Sequence, residues 1–487
     1  MTKILLGYQS YQGDSKAQIG QRLLNMYAEK NPDIASITAS QHKGMQFMVG
    51  SKYPWTLIGT PGQKTWLDTG SGSAIQGMQV MNGLLYVVTA NQVYKVTAAA
   101  AKTLLTGGPI SGTEDIVDMA NNGTQMAIVA SDGTGWVAGS AAIAQITDPN
   151  FPVGGASSVA YLDSYGIFGY ANSIQFAVTN NYDFTTWPGQ FASTIASPSN
   201  LVRVTSFNNN LWLFSQTSYE VWGVVTATAF PFQQTGNANT TRGLAAKFSV
   251  AQDYNTLLFL ADDGIVYAIN NATPTPVSTP AVASAIQGYK QTSTISDAIG
   301  FFYSQKGHKF YVLTFPTAGA TWVYDITQNL WHERQSFNSG RWNPNTIVQF
   351  NGLILVGDYQ NGKIYQLDPT IFTDDGNPLE SLCEGAVLWE EGLRITHDRV
   401  RLDIDAGVGT AVGQGVNPQV MMQFSDDGGR TWSNERWVPI GMMGQYKNQA
   451  TWWRNGQSRE RIYRFKITDP VPRHITGCYA DVRIGRI

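Results

Sequence analysis

Charge is scarce in this chain. Asp, Glu, Lys and Arg make up 14% of its 487 residues, against about 25% in ordinary soluble domains. The net charge of −3 lacks the basic excess of a general nucleic-acid binder. Only two cysteines are present, Cys383 and Cys478. Without a CxxC pair or a histidine beside them they form no metal-ligand pattern; they can pair with each other, and buried free thiols are the default expectation. The five histidines (His42, His308, His332, His397 and His474) are scattered without paired ligand spacing, so no metal or cofactor is expected. No apolar run reaches 18 residues, and the opening MTKILLGYQSYQGDSK holds only four apolar residues in a row. A soluble chain made in the cytoplasm, with no membrane insertion, is expected.

Catalytic signatures are missing as well: there is no HExxH, no Walker loop and no GxSxG. A sialidase needs three arginines converging on a carboxylate, and between Pro61 and Leu393 only Arg203, Arg242, Arg334 and Arg341 exist. A carboxylate pair of another glycosidase stays open, since any two of many acidic residues can meet in space. The expectation is a protein that is not an enzyme.

What is abundant is Gly, Asn, Thr, Ser, Tyr and Trp, the composition of a β-rich, turn-rich chain. Seven hairpins recur: NGLLYVVTANQVYKV from Asn82, then pairs beginning at Asn122, Tyr165, Asn209, Tyr254, Gly307 and Asn351. Taking Leu84, Gln125, Ile167, Leu211, Leu257, Phe310 and Leu353 as equivalent points, the intervals are 41, 42, 44, 46, 53 and 43 residues. Strand pairs at that period predict a β-propeller of six to seven blades, because one four-stranded blade cannot cover both of its faces and must stack on neighbours. A meandering sandwich would not need the regular spacing.

The expected organisation is therefore all-β: an N-terminal arm (1–60), the propeller (61–370), a polar linker (371–398) and a C-terminal β-sandwich-like domain (399–487). The arm holds the one helix signal, SKAQIGQRLLNMYAEK, with Ile19, Leu23 and Met26 on a helical stripe. The linker is read from FTDDGNPLESLCEG. From Asp398 onward 13 basic residues face nine acidic ones, a net of +4, which leaves −7 for residues 1–397. In RIYRFKI of the last domain, alternation puts Arg464 and Lys466 on one face, solvated or turned to a partner.

FSDDGGRTW carries Ser425, Asp427, Gly429, Thr431 and Trp432 at the spacing of the Asp box of sialidase propellers. Asp and Gly in such a loop supply side-chain-to-backbone hydrogen bonds and a positive φ, and the Trp plugs the turn. A structural hairpin is expected, since nothing in the spacing holds a nucleophile beside a base. A glycan-binding propeller is the alternative, with Trp187, Trp331 or Trp342 as a stacking platform, although packing between blades is the commoner fate of such residues.

RLLNMYAEKNP, LIGTPGQK and the C-terminal FSDDGGRTWSNERWVPIGMMGQYKNQATWWRNGQSRERIYRFKITDP resemble the phage stabilisation proteins, the tail hub or nozzle subunits of short-tailed phages. The resemblance touches both ends and the first blade. It implies a homo-oligomeric, hexameric ring in the virion, assembled in the host cytoplasm, that continues the DNA channel below an adaptor ring. It further implies retention of the packaged genome with transient, non-specific DNA contact, and docking of tailspikes or tail fibres. The candidate interface residues are Asn25, Tyr27, Glu29, Arg454 and Arg459 from its sharpest segments, joined by Arg464 and Lys466. A surface poor in charge and rich in aromatics suits large protein contacts.

Overall fold

Alternating strands closed by Asn-Gly-type turns build seven four-stranded antiparallel sheets in the computed structural model, which describes residues 2–11, 21–31, 35–38, 46–49, 54–195, 199–225, 230–270 and 273–485. The first sheet runs Ile75–Met81, Leu84–Thr89, Gln92–Val96 and Lys102–Leu104 from its innermost to its outermost strand. Five further sheets repeat this order, with innermost strands Asp118–Asn121, Ala156–Leu162, Leu201–Phe207, Ala251–Asp253 and Ile299–Gln305. The turns follow from backbone chemistry: Asn82 and Gly83 both have positive φ, as do Asn351 and Gly352, the conformation that two-residue hairpins demand.

The seventh sheet closes the ring. Pro344–Phe350, Leu353–Asp358 and Lys363–Asp368 are completed by Gly62–Asp68 from the other end of the propeller, in register from Gly62 opposite Asp368 to Asp68 opposite Lys363. Each sheet buries one face against the next. Seven apolar clusters fill the seven gaps, and the last joins Ile75 and Leu85 of the first sheet to Leu355 and Ile364 of the seventh. The 53-residue interval has a simple cause: the helix Pro280–Thr292 lies between the fifth and sixth sheets, capped by Thr279 and packed through Val282 and Ile286. This helix, begun by Thr279-Pro280 and carrying a short apolar stripe, stands where no helix was expected, the expected helix signal having been that of the N-terminal arm.

The flanks fold together. One sheet of the C-terminal sandwich is ordered Met26–Lys30, Trp55–Gly59, His474–Ile484, Ile395–Ile404 and Ala450–Trp453. The other runs Leu23–Leu24, Ser381–Glu384, Glu460–Ile467, Gln419–Ser425 and Arg436–Pro439, and through Leu24 opposite Glu333 it continues the sixth propeller sheet without a break. Met26, Ala28, Val400, Met422, Phe465 and Ile475 meet in the core between them.

Two expectations need correction. The stripe read as a helix is extended over its described part, 21–30, and its Ile19 lies outside the described residues. Leu23 and Met26, three apart, suit a helix, but Asn25 stands at φ 51°, which breaks any helix there. Both faces of the strand are covered over Met26–Ala28, where Met26 and Ala28 enter the sandwich core and Tyr27 enters the propeller, while Glu29 and Lys30 are exposed. The polar stretch read as a linker contributes Ser381–Glu384, an interior strand whose four residues are all buried.

Candidate functional site

Two of the family-like segments, those around Asn25 and Gly59-Thr60-Pro61-Gly62, meet at one junction, where Arg473, three residues beyond the third, joins them. Asn25, at its left-handed φ, donates from Nδ2 to the carbonyls of Gln335 (3.1 Å) and Glu380 (2.7 Å), and its Oδ1 accepts from the Gln335 amide (3.0 Å). Its own carbonyl accepts from the Thr60 amide at 2.9 Å. One side chain thus ties the N-terminal strand to the connection between the sixth and seventh propeller sheets and to the entry of the sandwich.

Two buried arginines clamp neighbouring carbonyls of the same segment. Arg334, from the propeller, donates to Pro61 O (2.9 Å) and Tyr303 Oη (3.0 Å) and lies 3.6 Å over the Trp342 ring. Arg473, from the sandwich, donates to Leu379 O (2.8 Å) and Thr60 O (3.3 Å). Burial pulls both guanidinium pKa values down, that of Arg473 to about 10. Glycine is required beside them, because a Cβ on Gly62 would stand 2.5 Å from the carbonyl oxygens of Ile371 and Thr373. Asp374 completes the junction: it accepts from Gln63 Nε2 (2.6 Å) and the Phe337 amide (2.7 Å), and burial pushes its carboxyl up.

The predicted interface residues divide. Asn25 and Tyr27 are 2% and 1% exposed and work inside the chain, so the structure removes them from any partner-facing surface. Tyr27 packs edge-on against His308 (4.9 Å between ring centroids) and Phe310 (5.2 Å). Glu29, Arg454 and Arg459 are exposed, with the Arg459 guanidinium donating to Gly392 O. Arg464 and Lys466 are not a bare basic face. Arg464 donates to Glu384 (Nε to Oε1, 2.8 Å) and lies 3.5 Å over the Trp432 ring; Lys466 pairs with Glu435 at 2.5 Å. Sequence reasoning missed Arg334, Arg473 and also Arg461, a buried side chain in bidentate contact with Asp426 (2.6 and 2.7 Å) above Phe424.

The Asp-box residues form a turn between Gln419–Ser425 and Arg436–Pro439. Asp427 accepts from the amides of Arg430 (2.9 Å) and Thr431 (2.9 Å), from Thr431 Oγ1 (2.6 Å) and from Ser425 Oγ (2.7 Å), while the Gly429 amide donates to Ser425 Oγ (2.8 Å). These donors, Thr431 first, hold the Asp427 carboxyl well below the usual range. A depressed pKa stabilises the fold above the unfolded value of about 3.9 and loses that contribution as pH falls below it. Asp427→Ala should accordingly lower the melting temperature by a few degrees at pH 7, and the gap from wild type should narrow at pH 3. Equal gaps at both values would show that the carboxylate's hydrogen bonds are not what the variant lost.

Trp187, Trp331 and Trp342, the candidate stacking platforms, are all buried. The four propeller arginines serve separate partners: Arg203 holds Asp118, Arg242 holds Asp263, Arg334 holds Tyr303 and Pro61, and Arg341 holds the Trp342 carbonyl and Asn345. Both cysteines are free and buried in the sandwich core. Among the described residues no group of three or more His, Cys, Asp or Glu is placed to hold a metal, and no helix is long and apolar enough to cross a membrane. Several exposed large side chains lie on the sandwich: Trp389, Trp437, Trp453, Met443 and Tyr446 are each more than half exposed. Arg436 joins two of their strands by donating to the Trp453 carbonyl (2.7 Å), and Arg399 sits 5.1 Å from the Trp453 ring centre.

Residues 53–372 match the family model described as Bacteriophage P22 Gp10, beta-propeller, and residues 380–483 match that described as Bacteriophage P22 Gp10, beta-sandwich. No curated protein matches the chain in sequence. Among solved structures, similar ones include the WD40 propeller domain of Doa1 (10% identity, 63% of this chain and 96% of that one, TM-score 0.40). BamB from Moraxella catarrhalis (10%, 70% and 97%, 0.39) and a virginiamycin B lyase from Staphylococcus aureus (12%, 63% and 97%, 0.43) are others. The chain belongs to the bacteriophage P22 Gp10 family and is a structural protein of the phage tail.

Proposed function

We propose that this Gp10-family chain is the ring-forming hub or nozzle subunit of its tail: a homohexamer that extends the DNA channel below the adaptor, retains the packaged genome and docks tailspikes or fibres without catalysing a reaction. The family assignment over both halves of the chain carries this reading. The architecture supports it in a second way. A subunit under load must not hinge between its parts, and here the N-terminal strands, the propeller and the sandwich share one continuous sheet and one junction clamped by Asn25, Arg334 and Arg473. The layer made by residues 2–11 and 21–30 with the sandwich is the part we assign to the adaptor. Deleting 1–30 is no test of that, because it would tear strands out of both sheets.

Surface substitutions are the better probe. Trp and Arg dominate well-packed interface centres, and truncating such a residue commonly costs 2 kcal/mol or more of binding. Trp453→Ala combined with Trp437→Ala should weaken assembly onto the adaptor at least about tenfold, since 1.4 kcal/mol is a factor of ten. Melting of the isolated subunit should stay unchanged. Negative-stain imaging and light scattering, with and without the adaptor ring, supply the readout: a symmetric ring with an axial hole supports the hub. A wild-type chain that stays monomeric beside its adaptor sinks it.

A further inference from the structure

Two loops at one end of the sandwich turn apolar side chains to solvent. Residues 406–418 follow the strand Ile395–Ile404, residues 440–449 lead into Ala450–Trp453, and Lys447 is the single charge in both. Val412, Met443 and Tyr446 are each more than three-fifths exposed. The loops hold each other in shape. A Cβ on Gly407 would stand 2.6 Å from the Tyr446 ring, and one on Gly409 would stand 3.0 Å from the Met443 nitrogen. The Thr410 amide donates to Gly415 O (2.9 Å), the Gln445 amide to Met442 O (2.9 Å), and the Ile440 amide joins the loops by donating to Pro418 O (2.8 Å). The result is a convex apolar knob.

A hollow of the same chemistry lies across the sheet. Thr2–Ile4, Trp55–Gly59 and the start of His474–Ile484 border a groove of about 740 Å³, lined by Ile4, Leu5, Leu6, Tyr8, Trp55 and Ile475 among others. Tyr8 and Trp55 stack at 5.1 Å within it, Leu5 is more than half exposed, and Lys3 is the one charged residue among the described residues that line it. The strand order Trp55–Gly59, His474–Ile484, Ile395–Ile404, Ala450–Trp453 puts the groove toward one side of the sheet and the knob toward the other. Pockets of about 300–1,000 Å³ enclose a drug-sized molecule, so the groove has room for the side chains at the tip of the knob.

Exposed apolar patches of this kind mark contact surfaces. A ring closed by head-to-tail contacts needs two different, complementary patches on every subunit, and this layer carries one convex and one concave. We infer that the knob of one copy, at Val412, Met443 and Tyr446, enters the groove of the next copy, at Leu5, Tyr8 and Trp55; the inference rests on the ring-forming reading above. A contact of a few side chains buries far less than the roughly 1,200–2,000 Å² of a stable complex. It therefore sets the register of a closed ring and does not hold a free dimer.

The test uses the full chain, alone and with its adaptor ring. Met443→Ser combined with Tyr446→Ser should raise the concentration at which rings appear by at least about tenfold, and melting of the isolated subunit should stay unchanged. Leu5→Ser should act in the same way from the groove side. All three substitutions together should weaken assembly no further than the stronger set alone, because they remove one shared contact. Chains with Met443→Cys, mixed with chains with Leu5→Cys and oxidised, should give a disulfide-linked dimer where rings form; Cys383 and Cys478 are buried and take no part. Rings that form at wild-type concentration despite the knob substitutions overturn the inference while leaving the ring reading intact. So does a ring-forming mixture without the linked dimer, or a linked dimer from either variant alone. A wild type that forms no ring sinks the ring reading, and this contact with it.

Discussion

Asn25→Ala should destabilise the chain by about 4 kcal/mol, although Asn25 touches no partner and carries no charge. Three side-chain hydrogen bonds are lost, to Gln335 O, Glu380 O and Gln335 N, each with a net worth of about 1 kcal/mol. The groups left behind belong to two different segments of a closed junction, so one relaxation cannot serve both. Alanine must also sit at φ 51°, a conformation that asparagine tolerates and that costs other L-residues roughly 1 kcal/mol more. At about 2–4 °C per kcal/mol for units of this size, the melting temperature should drop by roughly 8–16 °C. Asn25→Gly separates the two effects, since it accepts the backbone angle but makes none of the bonds, and it should recover only about the 1 kcal/mol of backbone strain. An alanine variant that melts with wild type would mean that the side chain's three bonds contribute nothing to holding the junction.

That residue also shows what could be read from the sequence. Asn25 stood out within a family-like segment, and the natural guess was an interface with another chain; its partners lie more than 300 residues away in the same chain. No spacing rule reaches that far. The propeller was legible because its information is local: period-two alternation, Asn-Gly turns and a repeat near 43 residues each reflect contacts within one hairpin. The Asp box was legible for the same reason, every one of its bonds spanning four residues or fewer. Leu23 and Met26 misled because a strand covered on both faces shows no alternation, so their spacing fitted a helix by default. The buried guanidinium groups of Arg334, Arg461 and Arg473 were illegible because a cation stacked on Trp342 or Phe424 looks, in a sequence, like any surface arginine.

Acid should loosen the chain well before its carboxylates protonate in bulk. His332 and His397 are buried at 2% and 0% exposure. Burial first, then the Arg334 cation beside His332 and the Arg461 cation beside His397, hold their pKa values down, to about 3 and about 4. Both stay neutral in the folded chain while an unfolded histidine takes a proton near pH 6.5. The unfolded state then binds more protons between about pH 6.5 and 4, so stability falls as pH falls through that window, by about 1.4 kcal/mol per unit for each histidine. By pH 4.5 the two together should remove roughly 5 kcal/mol. Asp358, Asp374 and Glu384 work the other way, because burial raises their pKa values and the folded state gains protons first. They therefore oppose the histidines, and the histidine variants separate the two contributions. Melting measured from pH 7 to 5 should therefore show a steep decline in wild type, a slope about half as steep in His332→Gln or His397→Gln, and a nearly flat line in the double variant. A double variant that declines as steeply as wild type would place the acid sensitivity elsewhere. His332 lies at a 6.4 Å ring separation from Tyr27, inside the same apolar cluster region that anchors the N-terminal strand. Protonating it puts a charge where that strand meets the propeller, so hydrogen exchange at 26–30 should quicken first as the pH is lowered.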